Sequence, residues 1–233
     1  WELFDSYRSA TDLPTILSAF AQMYAQALLA PRLVRGERVI AADGCPPPWT
    51  GTCQSWRFPY EPIRVLLGGH WVAKRLWARL DARAARPEYA GWQLGRKVVV
   101  VGAGPAGLRT AIELRLLGAQ VVVLEECDEF TRKSQVSLWT WCAEELQALG
   151  ATCMSVTDEG FGSANVLSAS VSEIQTLLLK TALLLGVQVV FGVTYCGLEW
   201  SGGNWGEWAV SVCRPNNVTL SPLGDMYCEE VLP

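Results

Sequence analysis

GRKVVVVGAGPAGLRTAIELRLLGAQVVVLEE, residues 95–126, contains two apolar runs with a glycine-rich turn and a helical pattern between them. Lys97–Val101 is apolar after its first residue and closed by Gly102, the pattern of a strand in a parallel sheet covered on both faces. Leu108–Leu117 carries helical spacing that Gly118 stops, and Gln120–Leu124 reads as a second buried strand. Strand, helix and strand within about thirty residues make a βαβ unit.

Gly102-x-Gly104-x-x-Gly107 falls between the first strand and the helix, the context that gives the motif its meaning. Gly102 permits a tight turn, Gly104 lets the backbone approach a pyrophosphate, and Gly107 lets helix and strand touch. The helix N-terminus then offers free N–H groups and positive dipole character to an anion. Glu125 ends the second strand, where a carboxylate accepts hydrogen bonds from a ribose and repels a ribose phosphate. The expected ligand is therefore FAD or NAD rather than NADP, and the spacing does not separate those two. A nucleotide-free α/β domain is the other reading of the same residues.

Outward from this unit the chain changes character. Glu2–Leu29 has helical spacing interrupted near its start by Pro14, and Trp71 to about Ala84 has it again, with Leu76, Trp77 and Leu80 on one face. Lys74, Arg75, Arg79 and Arg83 form what reads as a solvated basic side of that second helix. Between the two, residues 41–69 are rich in Gly and Pro with interleaved aromatics, the composition of an irregular insertion over about 35–70. On the C-terminal side, Ala143–Leu149 and Ser172–Leu185 read as helices, and Val187–Val193 and Glu207–Val212 as strands. The most apolar run, Thr176–Val193, is broken by Lys180 and Gly186 and fits a helix feeding a strand, not a membrane span.

Composition narrows the function classes. Half of the 233 residues are hydrophobic and the net charge is -4, so the chain is globular and has no basic nucleic-acid footprint. Its eight cysteines (Cys45, Cys53, Cys127, Cys142, Cys153, Cys196, Cys213 and Cys228) include no CxxC pair and are expected to be reduced, as in the cytosol. No secretory signal is visible, so the Asn217-Val218-Thr219 tripeptide is discounted as a glycosylation site. The single histidine, His70, is expected to be an exposed loop residue, which leaves no partner for Ser-His or Cys-His catalysis. No carboxylate spacing points to a metal.

The residues then resemble a known family, the MICAL flavoprotein monooxygenases, over the first part of their catalytic domain. VVGAGPAGLRTAIELRLLGAQVVVLE (100–125) nearly reproduces the family motif. LFDSYRSATDLPTILSAF (3–20), AKRLWARLDARAARPEY (73–89), FTRKSQVSLWTW (130–141) and IQTLLLKTALLLGVQVVFGV (174–193) are similar to family segments at matching distances. Membership implies an α/β fold: a Rossmann-like FAD-binding domain of the group A flavin monooxygenase type, incomplete, after an N-terminal helical segment. The expected division is 1–94 for that segment and 95–233 for the FAD-binding domain, truncated before the second flavin motif, to which EEVLP (229–233) aligns as the leading strand.

The resemblance further implies FAD as cofactor, NADPH as reductant, oxidation of methionine residues in filamentous actin, and a cytoplasmic, cytoskeleton-associated location. Carried over by position, Gly102, Gly104, Ala106 and Gly107 match the phosphate loop, Glu125 the ribose acid and Arg132 an arginine beside the cofactor; Gly192 and Val193 match a segment near the adenine. Cys127 stands where the family has an Arg, Ser134 replaces an Asn that contacts flavin, Ser137 replaces a His, Ser172 replaces an Arg and Glu173 a Gln. These exchanges remove cations and add carboxylates, Glu126 and Glu173, at a site meant for a pyrophosphate. No catalytic residue emerges. Two function classes stay open: the dinucleotide part of an FAD monooxygenase, inactive as this span alone, or a catalytically dead remnant that binds protein.

Overall fold

The computed structural model describes residues 1–34, 60–89, 94–151, 166–200, 208–214 and 231–232. Its elements run α1 (Glu2–Ser9), α2 (Leu13–Val34), α3 (Tyr60–Leu66), α4 (Trp71–Ala84), a 3-10 turn (Pro87–Tyr89), β1 (Lys97–Val101), α5 (Pro105–Leu116), β2 (Gln120–Glu125) and β3 (Gln135–Trp139). They continue with α6 (Thr140–Ala148), β4 (Val166–Ser170), α7 (Val171–Leu185), β5 (Gln188–Phe191), β6 (Thr194–Trp200), β7 (Trp208–Cys213) and β8 (Val231–Leu232).

β1, β2 and β5 form a parallel sheet in the order β1-β2-β5, with Val99 opposite Val122 and Leu124 opposite Val190. Successive strand residues point to opposite faces, and the two faces have different covers. Val98, Val100, Val121, Val123 and Val189 join Leu108, Ile112, Leu178 and Leu179 of α5 and α7 in the main core. Val99, Val122, Leu124 and Val190 meet Val193, Val210 and Val212 of the β6–β7 hairpin in a second cluster. Both faces of the sheet are therefore covered, as the unbroken valine runs require; only Val101, at the end of β1, is largely exposed.

The N-terminal helices share the main core, to which Phe4, Ile16, Met23, Ile63, Trp77 and Leu80 contribute. The Tyr7 hydroxyl donates to the Lys180 carbonyl at 2.6 Å, and Lys180 Nζ donates to the carbonyls of Arg8 and Ala10, which pins α1 to α7. The Asp12 carboxylate accepts the Thr15 N–H at 2.9 Å and starts α2, so Pro14 falls in a first turn where its missing N–H costs nothing.

Several expectations are corrected. Residues 60–66 are helical rather than irregular, with Pro62 tolerated as the third helical residue, and Tyr60, Ile63 and Leu67 are buried. Residues 35–59 of the expected insertion lie outside the described residues, as do Cys45, Cys53, Cys153, Cys228, Glu207 and Asn217–Thr219. His70 is buried rather than exposed: its Nδ1 accepts the Ala73 N–H at the start of α4, and its ring meets Trp1 and Phe4 edge-on. Arg83 is not on a solvated face but only 4% exposed, drawn in by carboxylates from other helices. Val187–Val193 is not one strand, because the chain turns at Gly192 (φ 68) and enters β6 of another sheet. The cysteines are not all reduced: Cys196 and Cys213 form a disulfide between β6 and β7.

Candidate cofactor site

In a parallel sheet all strands end at the same edge, and ligands of open α/β folds bind outside those carboxyl ends. Here the ends of β1, β2 and β5 are in register, Val101 opposite Leu124 and Glu125 opposite Phe191. The chain leaves β1 through Gly102, whose N–H donates to the Leu124 carbonyl at 2.7 Å. With φ 94, Gly102 occupies a conformation that L side chains rarely adopt. Gly107, one helical turn into α5, faces back on this turn; a Cβ there would lie 2.0 Å from the Gly102 carbonyl oxygen.

Gly104 differs from both. Its φ of -65 suits any residue, and a Cβ on it would meet no atom within 4 Å. Among the described residues neither backbone conformation nor packing demands glycine at that position, which fits a place where a ligand's pyrophosphate approaches the backbone. Gly104 caps α5 with no side chain to accept the first N–H groups, and Pro105 and Ala106 follow in the first turn. The contrast with α7 is instructive. There the N–H groups of Val171, Ser172 and Glu173 donate to the Ser134 carbonyl, the Arg132 carbonyl and the Ser170 hydroxyl. Glu173 completes that cap by accepting the Ser170 N–H at 2.8 Å, a bond that holds its carboxyl below the usual glutamate range. Glu173 is thus committed to its own helix as an anionic cap. The uncapped N-terminus of α5 remains the anion-receptive one.

Glu125 closes the floor of the turn. Its carboxylate accepts the Ala103 N–H at 2.6 Å and the Cys127 N–H at 2.9 Å, which fixes it at the end of β2 with lone pairs still available. The Glu125 carbonyl accepts the Val193 N–H, tying Gly192 and Val193 to the same edge, and the Asp128 carboxylate fills the place a side chain at Gly192 would need. Arg132 and Ser134 are exposed and tied by their carbonyls to the first turn of α7, with Ser137 beyond them in β3. Desolvation and the carboxylates of Glu125, Glu126 and Asp128 push the exposed Cys127 thiol up, which disfavours the thiolate.

Gln175 was not singled out in the sequence. From α7 its Nε2 donates to the Ala103 carbonyl at 3.0 Å, so the glycine turn is held from both sides, by Glu125 at an N–H and by Gln175 at a C=O. Gln175 Oε1 is buried with no partner among the described residues. The readable signal is a glutamine at a position flanked by buried Ile174, Leu178 and Leu179. Among the described residues no group of His, Cys, Asp and Glu is arranged to hold a metal, and no helix is long and apolar enough to cross a membrane.

Fold and site together define a Rossmann-like dinucleotide-binding unit. The pyridine nucleotide-disulphide oxidoreductase family matches residues 75–195, just over half the chain, and the chain belongs to that family. The glycine turn, open helix end and strand-end acid fit the pyrophosphate and ribose of a dinucleotide such as FAD. Similar over 145 residues is F-actin monooxygenase MICAL1 of Homo sapiens, at 45% identity, across 60% of this chain and 13% of that protein. MICAL3 of Homo sapiens is 33% identical over 198 residues, 84% of this chain and 9% of that protein. The crystal structure of CabE, an aromatic hydroxylase from angucycline biosynthesis, is 29% identical over 52% of this chain and 28% of its own, with a TM-score of 0.41. The chain spans about an eighth or less of the length of these MICAL relatives.

Proposed function

We propose that this chain is the dinucleotide-holding part of an FAD-dependent, NADPH-using monooxygenase that oxidises methionine residues of filamentous actin, in the cytoplasm at the cytoskeleton. The observation that carries the cofactor assignment is the unfilled space at Gly104, beside an uncapped helix end. The substrate assignment rests on identity to MICAL proteins of 42–45% over 142–145 residues. In this reading residues 1–94 support residues 95–233, which carry the site. Gly102, Gly104, Ala106 and Gly107 receive the pyrophosphate, Glu125 orients the ribose, and Arg132 supplies positive charge beside the cofactor. Cys127, Ser134, Gly192 and Val193 line the remaining edge.

FAD, once bound, supplies the redox chemistry. The chain's own residues bind and orient it, and Glu125 admits a ribose diol while repelling a ribose phosphate, which keeps NADPH from this position. Methionine suits such an enzyme because its polarizable thioether accepts oxygen readily.

A second reading, a protein-binding module without turnover, is favoured by one observation: Cys127 stands among Glu125, Glu126 and Asp128, which makes that edge unfavourable to an anion. The absorbance spectrum of the purified chain separates the two. Flavin bands near-stoichiometric with protein, without turnover by this span alone, support the monooxygenase part; a folded chain that FAD neither colours nor stabilises supports the module.

A further inference from the structure

The β6–β7 hairpin carries chemistry that the cofactor site does not use. Thr194 pairs with Cys213 and Tyr195 with Val212, and the register then slips so that Gly197 pairs with Ser211. Cys196 is the extra residue of this bulge, and its sulfur is bonded to that of Cys213, with the Cα atoms 6.2 Å apart. Both cysteines are exposed, while Val193, Val210 and Val212 of the same segment form the apolar cover on the sheet. A cross-link on the outer face thus holds together two strands whose inner face closes the second core. The other described thiols, Cys127 and Cys142, are free, and desolvation and neighbouring carboxylates disfavour the Cys127 thiolate as an internal attacker.

We propose that Cys196–Cys213 is a reversible thiol–disulfide exchange site for small solvent-borne thiols, and that its state sets how firmly the β6–β7 hairpin is held. An exposed disulfide admits an attacking thiolate along the line of its S–S bond, and exposed bonds are the labile ones. One external thiolate bonds to a cysteine sulfur as the S–S bond breaks, and the displaced cysteine leaves as thiolate and takes up a proton. A second external thiol attacks the mixed disulfide, releases the other cysteine, and leaves as the oxidised pair with the first. Two thiols are oxidised and one protein disulfide is reduced. With the cross-link open, the hairpin keeps its ladder hydrogen bonds, the Ser211–Glu199 hydrogen bond and its apolar inner face but loses its covalent tie, and local opening of β6 and β7 becomes easier.

The test is independent of whether FAD binds. The folded chain is equilibrated anaerobically in graded ratios of reduced to oxidised glutathione, quenched in acid, alkylated and mapped by peptide mass spectrometry. Cys196 and Cys213 are expected to pass together from bonded to alkylated as the thiol fraction rises, and to re-form the bond on return. Amides of residues 194–200 and 208–213 are expected to exchange hydrogen at least tenfold faster in the reduced chain, and at one rate in both buffers for the C196S/C213S variant. Free thiols in every buffer, a bond reduced only after denaturation, a mixed disulfide that never resolves, or equal exchange in both redox states would overturn the proposal.

Discussion

Gly104 and Gly107 lie one helical turn apart, yet a methyl group at each has opposite consequences. At Gly107 it would stand 2.0 Å from the Gly102 carbonyl, so α5 must move off the strand. Gly107→Ala is expected to cost about 2–3 kcal/mol of stability, the upper range for overpacking, read by denaturant unfolding. At Gly104 the methyl meets no atom of the described residues, and the backbone conformation accepts it. Gly104→Ala should therefore leave stability within about 1 kcal/mol and weaken FAD at least tenfold, because the methyl takes space meant for the ligand. Equal FAD affinity in the variant would remove the pyrophosphate from this place. Glu125→Ala removes a charged hydrogen-bond acceptor and should weaken FAD by about 1.5–3 kcal/mol in calorimetric titration; unchanged affinity would end its ribose role.

At the scale of elements, α4, α5 and α6 are joined by charge rather than by apolar contact alone. The Arg83 guanidinium donates to the Tyr89 hydroxyl at 3.1 Å, to Glu113 at 2.9 Å and to Glu145, while Arg109 bridges the same two carboxylates. Burial raises both glutamates, but Tyr89, Arg109 and Arg83 outweigh it at Glu113, and Arg83 and Arg86 outweigh it at Glu145; both end below the usual range. A carboxylate depressed in the folded state stabilises fully above its unfolded value and loses that contribution as pH falls through its folded one. Stability should therefore drop from about pH 4.3 downward, and less steeply in a Glu113→Gln, Glu145→Gln variant; identical acid profiles would contradict the assignment. Arg83→Ala leaves Glu113 with Tyr89 and Arg109 and Glu145 with Arg86 and Arg109, so it removes charged hydrogen bonds without stranding a carboxylate and should cost about 1.5–3 kcal/mol, measured by urea unfolding.

The same elements explain what could be read in advance. Lys97–Val101 and Trp71–Ala84 were legible to the residue, since a valine run and a 3.6-residue period report burial directly. β3 and β6 were not: their side chains are mostly exposed or half-exposed, leaving no apolar face to read, and β3 pairs with residues about thirty positions away. Arg83 looked like its basic neighbours because the carboxylates that bury it arrive 30 and 62 residues later.

For the whole molecule, the valine strands carry apolar side chains on both faces because helices cover one and a β hairpin the other. The glycine motif foretold the turn at the end of β1; Gln175 showed in the sequence only as a polar residue among buried Ile174, Leu178 and Leu179, and its partner lies 72 residues away. The central claim is that the open end of α5 holds FAD, and ligand linkage tests it directly: FAD at a hundred times its dissociation constant adds about 2.7 kcal/mol of stability. The measurement is thermal unfolding of the purified chain across an FAD titration, with Gly104→Ala beside it. The account predicts a transition that rises with FAD in the parent chain and lags in the variant, by at least about 1.3 kcal/mol at that concentration. A parent chain indifferent to FAD, or a variant that follows it, would contradict it.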